Sequence, residues 1–315
     1  MIFILCASQC LCASVLKILF IMNRSQFLKL MATIPLATSA IKLSCLDNAT
    51  SEFSNTDKMP VLFLGHGSPM NAIEENEFVQ GFRQVGKEIP KPNAILCVSA
   101  HWETNGTWVT AMEKPQTIHD FGGFPQALFD VQYPAPGSPE LANETKDLIK
   151  STQVGLDQKW GLDHGAWSVV KHLYPNADVP IIQLSLDVRR TPQQHYELAK
   201  EIASLRKKGV LIVGSGNMVH NLGMVAWDKL NSTDYGYDWA IEANTKFKQF
   251  IADGDHKRLI NYTAEGRPFQ LSIPTPEHYL PLLYSLALKD EKDEISFFND
   301  KAVGGSLTMT SVKIA

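Results

Sequence analysis

The chain has 315 residues, 44% hydrophobic and 20% charged, an ordinary globular composition with enough apolar mass for one large domain or two smaller ones. A formal net charge of -4 offers no basic stripe to nucleic acid and no polybasic block to a membrane surface, so small-molecule chemistry is the open field. Of the five cysteines only Cys97 lies beyond residue 45, which excludes a disulfide framework or a thiolate metal site in the body.

Residues 1–46 hold two apolar stretches, a few basic residues and no acid, a targeting composition. A second possible start, Met22, opens "MNRSQFLKLMATIPLATSA", with Arg24 and Lys29 ahead of an apolar stretch and Thr38 and Ala40 before a possible cut. This half is similar to a twin-arginine leader lacking one arginine. The expectation is an exported, periplasmic protein that touches the translocon in transit, with an uncleaved hydrophobic arm as the alternative. Neither run reaches the ~20 residues of a membrane span. Residues 47–58, "DNATSEFSNTDK", read as a polar linker, and the folded body is expected over 59–315.

Within the body, Pro60 to Leu64, Ala94 to Ser99, Val179 to Leu186 and Gly209 to Val213 are short apolar runs bounded by turn residues, which predicts buried strands. Helices are predicted after Ser138-Pro139, after Thr191-Pro192 up to Gly209, in "YDWAIEANTKFKQFIADG" up to Gly254, and after Thr275-Pro276 with Glu277 and His278 in the first turn. The end, "GGSLTMTSVKI", alternates as a late edge strand would. Strands alternating with helices predict a layered α/β domain with a largely parallel sheet.

The nine histidines matter by placement. His66 and His101 each follow a predicted strand at two residues' remove, and His220 follows another through "GSGNMVHN". Parallel strands would bring all three to the carboxyl edge of the sheet, where ligand sites gather. His278 enters from a helix's first turn. One histidine after a strand is usually a hydrogen-bonded loop residue; three at matching ends with a fourth nearby point to a metal. Imidazoles without thiolate suit Zn(II), Fe(II), Cu(II) or Ni(II) and exclude Fe-S clusters and purely oxygen-ligated Mg or Ca. His164 in "GLDHGAW" and His119 in "TIHDFGGFP" sit in glycine loops beside aspartates, as acid/base groups or as turn stabilisers. His172, His195 and His256 read as solvated structural residues. Trp102, Phe121, Phe124 and Tyr279 adjoin these positions and could wall an aromatic substrate. No dinucleotide fingerprint, Walker loop or G-x-S-x-G elbow is present.

Taken in order, "LFLGHGSPMN", "VSAHW", "TIHDFGGFPQAL", "YPAPGSP", "DHGAWSV", "GSGNMVHNL" and "PTPEHYLPLLY" resemble the bacterial 4,5-DOPA extradiol dioxygenase group, within the class III (protocatechuate-dioxygenase type) extradiol ring-cleavage family. The resemblance implies a single three-layer α/β/α domain around a mostly parallel, mixed sheet. It implies metal-site roles for His66, His101, His220 and His278, with His220 as fourth ligand or acid/base, His164 as a further catalytic group, and Glu277 as a possible carboxylate ligand. The implied reaction inserts O2 into a catechol ring beside its hydroxyls, with L-DOPA giving the yellow 4,5-seco acid. Fe(II) is the implied cofactor, with Zn(II) as alternative, and the protein would be a monomer or small homo-oligomer. A zinc hydrolase on the same imidazoles and a non-catalytic binding protein on the same scaffold are the rival readings. Family members of this type start near "LFLGHGSP" and are cytoplasmic, so the front of this chain departs from the pattern.

Overall fold

In the computed structural model, residues 56–315 are described except 231 and 233; the leader expected over 1–46 and residues 47–55 of the expected linker lie outside the described residues. The last linker residues are tied to the body, with the Thr56 N–H on the Lys207 carbonyl and the Lys58 ammonium on Asp290 and Asp293.

Four apolar runs become adjacent parallel strands because only strands covered on both faces tolerate uninterrupted apolar sequence. They are β1 (Val61–Gly65), β2 (Ala94–Ser99), β3 (Ile181–Gln183) and β4 (Val210–Gly216), and the sheet is completed by β5 (Ile295–Phe298) and β6 (Ser311–Ile314). Spatial order is β3-β2-β4-β1-β6-β5, parallel from β3 to β1 and antiparallel at β6 and β5. Two expectations are corrected. The run Val179 to Leu186 divides, since Leu186–Asp187 leaves the sheet to pair with Glu103–Thr104. β6 is interior rather than an edge, with Val312 and Ile314 fully buried, and the half-exposed β5 takes the edge.

Alternation along the strands feeds two cores. Val61, Phe63, Leu96 and Ile212 face one side, and Leu62, Leu64, Ile95 and Leu211 the other. Against the first side pack α2 (Pro139–Leu148), α4 (Pro192–Glu201), α5 (Asp238–Ala252) and α6 (Leu280–Ala287); α1 (Glu77–Glu88) and α3 (His164–Leu173) cover the second. Ser138 caps α2 on the Leu141 N–H, and Thr191 with Gln194 makes a full capping box on α4. Helix α6 starts at Leu280, after a turn in which the Tyr279 and Leu280 N–H groups share the Pro276 carbonyl. Glu277 and His278 therefore lie in that turn and not in a helical first turn. Among the described residues no helix is long and apolar enough to cross a membrane.

One buried ion pair locks the amino-terminal edge of the body. Arg206, 2% exposed, grips Asp293 with two nitrogens at 2.6 and 3.1 Å and donates to the Met59 and Leu288 carbonyls. Burial alone would raise the Asp293 carboxyl, but the Arg206 guanidinium holds it below the ordinary carboxylate range. Asp293→Asn strands the guanidinium and is expected to cost about 3–5 kcal/mol in urea unfolding at pH 7. Because the folded-state value is depressed, this contribution is present above about pH 4 and is lost as pH falls through the folded-state value. An unfolding free energy unchanged by the substitution would refute the assignment.

Candidate metal centre

Three neighbouring parallel strands end level with one another. Register sets Gly65 opposite Gly216 and Ser99 opposite Ser215, so the residues after β1, β2 and β4 enter one crevice. His66 leaves β1 with its N–H on the Gly216 carbonyl at 3.1 Å. Gly67 turns the chain there with φ +62°, whereas Gly65 serves close packing: a Cβ on it would stand 2.6 Å from the Met309 carbonyl oxygen. His101 follows β2 in a turn held by Ser99 Oγ, 3.2 Å from its N–H. The His278 carbonyl accepts the Asn217 N–H at 2.8 Å, which fastens its turn to the end of β4. His220 donates its N–H to the Ser272 carbonyl at 2.9 Å. His164, expected in a glycine loop, opens α3 behind the N-cap Asp163.

Five imidazoles thus meet, and their spacings differ. Rings of His66, His101 and His278 stand pairwise 5.0, 5.0 and 5.3 Å apart, with 3.1 Å between Nε2 of His66 and Nε2 of His101. An imidazole bound through Nε2 keeps its centre about 3.2 Å from the ion, so rings sharing one ion at roughly 90–110° lie about 4.5–5.3 Å apart and their nitrogens about 3.0–3.4 Å. The ring centres of the trio have that spacing, and so do the facing nitrogens of His66 and His101. His164 packs 3.8 Å from the His101 ring, and His220 lies face to face on His278 at 3.5 Å and 8°, both closer than two rings on one ion stand. His164 still brings a nitrogen within 4.8 Å of those of His66 and His101, as does the Glu277 carboxylate for His220 and His278.

Partners of the second nitrogens fix which atom faces inward. Ser215 Oγ gives its only proton to the Gly165 carbonyl, so it must accept from His66 Nδ1 at 3.0 Å, which leaves the Nε2 lone pair free. His278 Nδ1 lies 3.1 Å from Glu277 Oε1, itself held by Thr275 Oγ1 at 2.9 Å. Glu277 is thereby placed beside the rear nitrogen of His278. Asp120 sits behind the other pair at ion-pair range, its Oδ2 3.0 Å from His164 Nδ1 and 3.6 Å from His101 Nδ1, without hydrogen-bond geometry to either. Ser215 and Asp120 were not singled out from the sequence. Asp120 had a cue, as the neighbour of His119.

Burial, then mutual crowding of the imidazoles, lowers His66 and His101 well below the ordinary histidine value, and burial followed by His278 pushes His220 down to about 3. Burial lowers His278 as well, against the pull of Glu277. Burial opposes ionisation of Glu277, yet its bond to His278 brings its carboxyl down to about 2. Neutral imidazoles beside ionised carboxylates are the protonation states a cation requires. With its Nδ1–H given to Ser215, His66 presents a free Nε2 at 3.1 Å from His101 Nε2, the nitrogen spacing of two ligands on one ion, so these residues fit a metal ion.

Other sequence candidates fall elsewhere. His119 binds the Val131 carbonyl at 3.0 Å among Phe121, Phe129 and Trp167, outside the cluster. His195 and His172 are buried rather than solvated: the first meets Tyr284 Oη at 2.9 Å, the second the Asn71 carbonyl at 2.7 Å, each a polar partner that makes burial tolerable. His256 is half-buried against Tyr196 Oη at 2.7 Å. Of the proposed aromatic wall, Phe121 lies edge-on to His164 at 5.5 Å and touches Phe124, and Trp102 stacks on Trp160. Tyr279 is excluded from it, being buried against Phe247 and Tyr262 with its hydroxyl on the Leu259 carbonyl.

A mixed α/β sheet carrying clustered neutral imidazoles at its carboxyl edge defines a metal-dependent enzyme. Comparison with known proteins narrows the class. Residues 60–300 match the family described as the catalytic LigB subunit of aromatic ring-opening dioxygenase. The chain is 47% identical over 264 residues to the 4,5-DOPA dioxygenase extradiol of Escherichia coli (strain K12), covering 82% of this chain and 96% of that protein. It is 35% identical over 257 residues to the protein of the same name from Beta vulgaris, covering 80% and 94%. A crystal structure of an uncharacterized protein of Escherichia coli K12 superposes with a TM-score of 0.71 at 42% identity, covering 82% of this chain and all (100%) of that one. The chain belongs to the class III extradiol dioxygenase family and is a metal-dependent extradiol ring-cleavage enzyme.

Proposed function

We propose that the enzyme opens the ring of a DOPA-like catechol beside its hydroxyl pair, with ferrous iron held by His66, His101 and His278 and with His220 and His164 moving protons. The observation that carries the ligand set is the 5.0–5.3 Å spacing of those three rings. Three protein ligands leave positions open for chemistry, where four would close the shell. When bound, the metal supplies a point at which both catechol oxygens and O2 are gathered and charge passes from ring to oxygen. Iron is preferred to zinc because zinc has no redox chemistry to offer O2.

The remaining work falls to side chains. His220, neutral at physiological pH and stacked beside the ligand trio, takes a phenol proton and returns one to the product. His164 stands on the opposite flank beside His101 as the second proton carrier. Phe121, edge-on to His164, offers an apolar wall to the substrate ring. Support for a DOPA-like substrate is the name borne by the relatives at 47% and 35% identity.

Protein loaded anaerobically with Fe(II), mixed with L-DOPA and then exposed to air, is expected to consume O2 and yield a yellow ring-opened product. Absence of uptake across a panel of catechols, with zinc held tightly instead, would overturn the reading. We also propose export, on the acid-free apolar composition of residues 1–46 alone; mass spectrometry of the mature amino terminus tests it, and a full-length cytosolic product would sink it.

A further inference from the structure

The loop that carries Asp120 is fixed from several directions. Ile118 gives its N–H to the Leu162 carbonyl at 2.7 Å, its own carbonyl accepts Trp167 Nε1 at 2.8 Å, and His119 Nε2 donates to the Val131 carbonyl at 3.0 Å. The carboxylate is anchored too, since Oδ1 accepts the His164 N–H at 2.9 Å. Its Oδ2 is left pointing between two imidazoles, 3.0 Å from His164 Nδ1 and 3.6 Å from His101 Nδ1. Among the described residues these two histidines are its only potentially cationic partners within 4.0 Å, so no lysine or arginine pairs with this partly buried acid.

We propose that Asp120 is a positioning residue that serves two histidines at once, fixing the Nδ1–H tautomer of both His101 and His164. A ring nitrogen that faces a carboxylate must carry its proton, because two lone pairs would otherwise oppose each other. His101 is then obliged to present Nε2 toward His66 Nε2, at the observed 3.1 Å. His164 is obliged to keep Nε2 as the atom that exchanges protons. One carboxylate thus sets the direction of a metal ligand and of a proton carrier together, so ligation and proton transfer share a single support. On the other flank Glu277 serves only His278 in this way.

This inference rests on His101 as ligand and His164 as proton carrier, and its test does not require turnover. Histidine-labelled, metal-free protein examined by 15N NMR should show Nδ1–H on His101 and His164, and a tautomer mixture at both in Asp120→Ala. Zn(II), titrated against a chromophoric chelator, should bind Asp120→Ala about 10–100-fold more weakly than wild type, with Asp120→Asn between them. An Nε2–H tautomer on either histidine in the wild-type protein overturns the proposal, and that reading stands even if Asp120→Ala does not fold. Wild-type Zn(II) affinity together with unchanged tautomers in a folded Asp120→Ala overturns it equally. Failure of the catechol assay with the NMR and zinc results as expected removes the proposed substrate and leaves the role of Asp120 intact.

Discussion

His66→Ala is expected to abolish ring cleavage and to release the metal while the protein stays folded. Of the three proposed ligands His66 is the most buried, 2% exposed, and its ring lies within 5.7 Å of those of His101, His164 and His278. A bound metal contributes several kcal/mol to charge stabilisation in the transition state, so Fe(II)-dependent O2 uptake should fall by ~10³-fold or more. Zinc titration should show the loss of tight binding directly, and far-UV circular dichroism should be unchanged. Uptake within tenfold of wild type would remove His66 from the ligand set.

His220→Gln should separate ligation from proton transfer. Glutamine keeps polarity and much of the bulk but cannot accept a proton at neutral pH, so kcat is expected to drop by about 10²–10⁴-fold. Metal affinity should stay within a few-fold of wild type, because the His220 ring is stacked on that of His278 at 3.5 Å, closer than two rings on one ion stand. The decisive outcome is the pairing of these two numbers. Should metal be lost in parallel with activity, His220 is a fourth ligand and the proton carrier must be sought at His164. His164→Gln, measured beside it, should likewise retain metal.

Much of this site was legible in the sequence because its mounts are fully buried parallel strands. A strand covered on both faces must read as an unbroken apolar run, and a histidine just beyond such a run has few places to go. That reasoning placed His66 and His101 correctly at the sheet edge. It failed where burial erases periodicity. Helix α3 is buried along nearly its whole length, so "HGAWSVVKHL" shows no polar face, and no helix was predicted over α1, "EFVQGFRQVGKE", where two glycines weaken the helical signal. The burial of His172 and His195 was missed because adjacent charges suggested solvent, whereas each has one polar partner inside. Ser215 offered no cue, and the cue at Asp120, its place beside His119, pointed to the wrong histidine, because both roles depend on side-chain direction, which neither spacing nor residue type encodes.

The position of β6 also governs how the site is held. His66 projects from β1, and one of the two neighbours that hold β1 is the strand Ser311–Ile314, contributed by the final residues of the chain. Non-local pairings of this kind are the slow part of folding. The metal site's mount therefore depends on a pairing that joins residues some 250 positions apart in sequence, and a variant in which Ser311–Ile314 cannot pair leaves the strand before His66 held on one side only.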